Sequence, residues 1–228
     1  TIRFGTLDLV RSDWRKYTKN IATTTTDTDE GTNFVTDQNL DVGSVNLEEN
    51  GLSQPPYVLP PGIDRQVLSG NSGAQRQNEA SLYMKTQPIA LKTTKGVFKN
   101  VALDMRRYKK LELFVHAEDL RNPTSTVYDK DATFFIRFGS DATDNYYEYE
   151  AALKYTATNA RSPLEIWPSE NTVNLEIQNF VDAKLRRDQN PNNKIDDRTE
   201  DFDYGAIDPH KKIFIKGRPS LGNVSTIM

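Results

Sequence analysis

The sequence predicts an all-β fold with one short helix. The expected architecture is an antiparallel β-sandwich of jelly-roll type, with long polar loops and an extended, Pro-rich N-terminal arm. Three observations predict it. Apolar and polar residues alternate with a period of two in several short runs, the mark of strands with one buried face. Clusters of Gly, Asn, Asp and Pro separate those runs as turn signals. No strand–helix–strand rhythm occurs, so a parallel α/β sheet is not expected.

The elements follow in order. Residues 6–10 are the first strand candidate, followed by the charged turn SDWRKYTKN. TTTTDTDEGTN at 23–33 has no apolar anchor and reads as a loop. SVNLEENG at 44–51 reads as a short strand ended by Asn-Gly. PPYVLPPGIDR at 55–65 is dense in proline, which fixes φ and removes backbone donors, so it is extended and not a central strand. NSGAQRQNEA at 71–80 reads as a polar loop. The expected division is therefore an arm over 1–80 and a sandwich over 81–228.

From 81 onward the strand signals become dense. Leu82 and Met84 share one face, as do Val101 and Leu103. Leu111, Leu113, Val115 and Ala117 alternate with Glu112, Phe114, His116 and Glu118, predicting a strand over 111–117. Phe134, Ile136 and Phe138 share a face, and a DATD turn leads into NYYEYEAALKY. Val173, Leu175 and Ile177 alternate before the pattern changes at NFVDAKLRRD. There Asn179 suits an N-cap and Val181 and Leu185 share a helical face, predicting a helix of about three turns. QNPNNKIDDRTEDFDYG is a long loop, and KIFIKGRPS and GNVSTIM supply two more strands.

Composition narrows the function classes. The 228 residues carry 29 basic and 32 acidic groups, a net charge of −3, so no basic excess awaits nucleic-acid phosphates. With no cysteine, disulfides, zinc–thiolate sites and thiol catalysis are excluded. Only His116 and His210 are available for imidazole chemistry. No run approaches the ~18–20 apolar residues of a membrane helix, and no signal peptide is visible. The chain starts and stops on strand-like runs, which suggests a piece of a longer polypeptide. No membrane insertion by this segment itself is expected.

Four clusters invite a functional reading. Tyr147 and Tyr149 share a strand face and, with Trp167, could stack sugar rings; cross-strand packing is the bland alternative. Glu148 and Glu150 sit about 7 Å apart along one strand, a spacing that suits paired carboxylates, but alternating Glu also reads as a solvated face. Asp188, Asn190, Asn192, Asp196 and Asp197 form an oxygen-rich ladder that could hold calcium, although Pro191 and Lys194 interrupt it. Arg106, Arg107, Lys109 and Lys110 make the basic cluster, able to dock an acidic partner or a lipid headgroup, and otherwise a solvated turn beside a buried Tyr108. No phosphate loop, dinucleotide fingerprint, nucleophile elbow or HExxH occurs. No catalytic residue and no cofactor are nominated.

Longer stretches carry a family resemblance. DMRRYKKLELFVHAE, IRFGSDATDNYYEYE, EIWPSENTVNLEI, SVNLEENG, YVLPPGIDR and TLDLVRSDWRKY, spread over nearly the whole chain, resemble the SprA/Sov family. These are very large outer-membrane proteins of Bacteroidetes, associated with gliding motility and the type IX secretion system. The resemblance implies a non-catalytic part of a protein-secretion translocon in the cell envelope, on the extracellular face of the outer membrane as a cap, with the periplasmic face as the alternative. It implies as partners the remainder of the translocon barrel, a PorV-type barrel protein, a periplasmic plug and secreted cargo. A glycan-binding envelope domain is the second reading, resting on Tyr147, Tyr149 and Trp167.

Overall fold

The structure, a computed structural model, describes residues 14–19, 21, 39–65, 67–70, 73–87, 94–125 and 128–228. The strand expected at 6–10 and the loop at 23–33 lie outside them. The strands in chain order are β1 (Arg15–Lys16), β2 (Leu40–Asn46), β3 (Val67–Gly70), β4 (Gly73–Arg76), β5 (Ala80–Thr86), β6 (Val97–Leu103), β7 (Lys110–Leu113), β8 (Tyr128–Gly139), β9 (Tyr146–Lys154), β10 (Val173–Glu176), β11 (Thr199–Glu200), β12 (Lys211–Lys216) and β13 (Val224–Ile227). The helices are α1 (Leu47–Asn50), α2 (Pro163–Ile166), α3 (Gln178–Gln189) and α4 (Phe202–Gly205).

The all-β reading holds. Seven strands form one antiparallel sheet in the order β1-β6-β13-β8-β9-β12-β11. Its centre is the β8–β9 hairpin, closed where Asp141 accepts from the backbone N–H groups of Thr143, Asp144 and Asn145. Gly139 faces Tyr146 across that turn, and β12 pairs along the other edge of β9. This register stacks Phe134, Ile136 and Phe138 beside Ala151, Tyr149 and Tyr147, with Ile213 and Ile215 next to the tyrosines. Period-two alternation thus places one continuous apolar face on three adjacent strands.

The layer on that face is built from α3 and the β10–β7 ribbon. Phe180 of α3 lies edge-on to Phe138 at 4.8 Å and to Tyr147 at 5.8 Å between ring centroids. Val173, Leu175 and Leu111 come from the ribbon. A second cluster gathers around Trp167, with Tyr57, Ala160 and Ile166 buried and Val45, Leu47, Val58 and Phe114 packed against it. Trp167 Nε1 donates to Val58 O at 2.9 Å, so the Pro-rich segment is tied to the body. As its prolines predict, that segment contributes no strand. β2 pairs with β5 along its full length, from Leu40 opposite Thr86 to Asn46 opposite Ala80.

Several local expectations need correction. α3 begins two residues early, and Ile177, not Asn179, occupies its N-cap. The buried helix face is Phe180, Ala183 and Arg187, while Val181 and Leu185 are exposed, Leu185 by 55%. The cause lies upstream: β10 runs into the helix through buried Ile177, which fixes the helical phase so that Phe180 meets the core. The strand expected over 111–117 stops at Leu113, because Phe114 turns toward Trp167 instead of continuing the ladder. Tyr108, expected to be buried, is 54% exposed, since Met105 is the residue of that turn that enters the core. Residues 73–76, expected as loop, pair with 67–70 in a hairpin. The 44–51 run ends in a helical turn in which Asn46 accepts from Glu48 and Glu49 N–H. One-turn helices α1, α2 and α4 join the single helix expected.

Candidate functional site

The sheet's other face holds the feature that sequence reasoning missed. In register, Arg137 of β8 faces Glu148 of β9, which faces Phe214 of β12. Glu148 is 1% exposed and is gripped from both sides. Arg137 donates to Glu148 Oε2 from Nε at 2.7 Å and Nη2 at 2.6 Å. Arg198, from the segment leading into β11, donates to Oε1 through Nε at 3.2 Å and through Nη2. Arg198 Nη2 also reaches Glu150 Oε2 at 3.2 Å. Each guanidinium lies over a ring: Arg137 Cζ is 3.7 Å from the Tyr146 centroid and Arg198 Cζ is 3.4 Å from that of Phe214.

The electrostatics follow from this packing. Burial alone would push the Glu148 carboxyl up, but Arg137 and then Arg198 outweigh it and hold it below the usual carboxylate range. Burial dominates at Glu150 and pushes its carboxyl up. The solvated glutamate face expected from alternation is therefore corrected at Glu148: two arginines and two rings replace its water. A carboxylate held ionised, with both oxygens occupied, has no proton to donate and no free lone pair aimed at a substrate. What the arrangement does is hold Arg137 and Arg198 against the sheet.

The other expected positions are placed as follows. Tyr147 and Tyr149 are buried in the sheet core, with Tyr147 OH donating to Pro219 O at 3.2 Å; burial pushes the Tyr147 hydroxyl up to about 12. Trp167 is buried in the separate second cluster. The trio is thus split between two cores, and none of the three rings offers an open face for a sugar. Asp188 pairs with Arg187 at 2.7 Å, Asn190 Oδ1 accepts the Asn192 N–H at 3.0 Å, and Asp196 and Asp197 are exposed. Among the described residues no three His, Cys, Asp or Glu side chains gather as a metal-binding group. His116 Nδ1 lies 2.7 Å from Ile166 O, and its Nε2 lies 2.9 Å from Glu118.

A cleft of about 360 Å³ lies between the C-terminal half of α3 and residues 199–203. Arg186 crosses it, donating through Nε and Nη2 to the two Asp201 oxygens. Phe202 stands exposed at its rim. Several polar groups lining the cleft are already engaged: Glu200 takes Lys212, from outside the lining, at 3.2 Å, and Asn193 donates to Arg187 O.

The part of the ion network on the hairpin had a signal in the sequence. Counting outward from the DATD turn pairs Arg137 with Glu148, a charge pair in the middle of FFIRFG and YYEYE. Arg198 is 50 residues away in chain and had none.

A family model described as motility related/secretion protein, SprA_N, matches residues 1–228. The chain belongs to this family. The resemblance carried by DMRRYKKLELFVHAE and IRFGSDATDNYYEYE is therefore borne out over the full length. No curated protein matches the chain. SprA_N membership makes this a motility- and secretion-related chain. Among its described residues no helix is long and apolar enough to cross a membrane.

Proposed function

We propose that this SprA_N chain is a non-catalytic structural and interaction domain of a protein-secretion translocon of the type IX system. It serves export across the outer membrane and gliding motility, as a cap on the extracellular side of the pore. The observation that carries the reading is the match to a motility- and secretion-related family over every residue of the chain. The packing supports it: the paired carboxylates and the aromatic residues that could have served chemistry are consumed by the core and the ion network. The domain acts by shape and contact. Its partners are the remainder of the translocon barrel, a PorV-type barrel protein, a periplasmic plug and passing cargo.

The test is made in the full-length secretion protein. An in-frame replacement of this segment by a short flexible linker, with the barrel still assembled, is expected to lower extracellular cargo and stop gliding. Normal export from such cells removes the reading. An epitope placed in the exposed loop at Asp196–Asp197 checks the face: antibody labelling of intact cells is expected, and labelling only after permeabilisation moves the domain to the periplasmic side.

A further inference from the structure

We propose that the turn over residues 107–110 is a docking surface for an extended, carboxylate-rich polypeptide segment. The proposal does not depend on the export reading. Within DMRRYKK one cation is neutralised internally. Arg106 donates to Asp104 through Nε and Nη2, both at 2.9 Å, and its guanidinium lies where a Cβ on Gly222 would come within 2.7 Å of it. Arg107, Lys109 and Lys110 are treated differently. All three are exposed, and no ion pair among the described residues includes them. Arg107 feels Asp104 only at longer range. Four consecutive residues span at most about 11 Å, close to one Debye length, so the three charges act on a ligand together. They do so on a chain whose net charge is −3.

The turn is also held in shape before any ligand arrives. Buried Met105 anchors it, with its N–H on Leu221 O at 2.7 Å. Tyr108 N–H bonds Met105 O at 3.1 Å, and Lys109 O accepts from Ile177 N–H at 2.9 Å. Lys110 then opens β7 opposite Glu176. Little backbone entropy remains to be lost on binding. The Tyr108 ring, more than half exposed between the cations, adds a stiff amphipathic contact of the kind that recognition surfaces use.

Neighbouring charge selects the class of partner. Exposed Glu112 and Glu176 stand on the same ribbon, Glu176 directly across from Lys110. A planar anionic bilayer reaching the cations would also press against these carboxylates. A single extended strand can follow 107–110 and pass them by. Its alternate carboxylates, about 7 Å apart, match the step from Arg107 to Lys109 across the extended backbone of Tyr108.

The test is fluorescence anisotropy of a labelled deca-glutamate peptide titrated with the folded chain. Saturable binding is expected at low salt, weakening steeply as salt rises. R107A/K109A/K110A is expected to weaken it by about tenfold or more, at roughly half a kcal/mol per exposed charge pair. A control removing exposed Lys85 and Lys194 is expected to leave it unchanged. Tyr108→Ala is expected to weaken binding about threefold, with Tyr108→Phe restoring it. Thermal melts of each variant confirm that it is folded. No binding of the peptide, or equal binding by the triple variant, overturns the proposal. So does equally tight, 107–110-dependent sedimentation with mixed phosphatidylglycerol and phosphatidylcholine vesicles, which assigns the surface to lipid.

Discussion

Arg137 and Glu148 face each other across the central hairpin, Nε to Oε2 at 2.7 Å, and both are buried. Arg198 completes the arrangement from outside the hairpin, so a carboxylate in the middle of the sheet shares two guanidiniums. Desolvating such ions is expensive, and their mutual attraction offsets it only while every partner is present. The network therefore fixes where the segment carrying Arg198 lies against the sheet.

Glu148→Gln should destabilise the fold by about 3–5 kcal/mol, because it leaves buried Arg137 without its carboxylate and Arg198 with Glu150 alone. Replacing all three residues together, as R137M/E148L/R198M, should cost less than the single change, since the one charge that loses a partner is Glu150, which keeps the attraction of Lys212. Urea unfolding of the three proteins decides it. A single variant as stable as the parent would show that the network carries no charge burial worth counting.

The pH profile should show two opposed limbs. The folded Glu148 carboxyl lies below its ordinary value of 4.5, so its contribution is fully present above that pH and is lost as pH falls through the lower folded value. The Glu150 carboxyl is raised above 4.5 by burial, so stability declines as pH rises from there through its folded value. Glu150→Gln should flatten the upper limb and leave the acid limb in place. Glu148→Gln should shrink the acid limb, leaving the part contributed by Asp141, Glu170 and Asp208, which are also held below their ordinary values. Denaturation midpoints taken across this range check both signs.

How much of this was legible depends on how local each cause is. The hairpin was legible because β8 and β9 alternate strictly about one turn, so Phe134, Ile136 and Phe138 had to meet Tyr147, Tyr149 and Ala151. The helix was legible in existence but not in phase. Val181 and Leu185 have the helical spacing, yet the buried face was decided by Ile177 and Phe180, through a strand-to-helix junction that periodicity does not encode. Arg187 on that buried face is satisfied by Gly217 O and Asp188, and Gly217 is a partner that only the fold brings near. Tyr108 reads as a core residue by type, and tertiary context gave that place to Met105.

Two glycines separate backbone strain from crowding. Gly62 has φ +81, and a Cβ added there would meet nothing within 4 Å, whereas Gly217 has φ +66 and its Cβ would lie 1.9 Å from Asp144 O. Gly62→Ala should cost about 1–2 kcal/mol, the left-handed penalty alone. Gly217→Ala should cost clearly more, because the carbonyl it meets belongs to the β8–β9 turn and cannot yield without moving the hairpin. Thermal unfolding of the pair checks the order, and equal losses would mean that the turn gives way freely.

Trp167 should control the attachment of the Pro-rich segment. Its ring meets Tyr57 edge-on at 6.1 Å and lies 6.4 Å from Phe114, and its Nε1 holds Val58 O. Trp167→Ala should cost about 3–5 kcal/mol, as for other large buried aromatics. Trp167→Phe keeps much of the packing and gives up the hydrogen bond, a loss of about 1–2 kcal/mol. The two clusters are built from separate residues, so the damage should be local: proteolysis between residues 55 and 65 should accelerate, while amide exchange in β8, β9 and β12 changes little. Equal loosening of the sheet in Trp167→Phe would show that the two clusters fold as one unit.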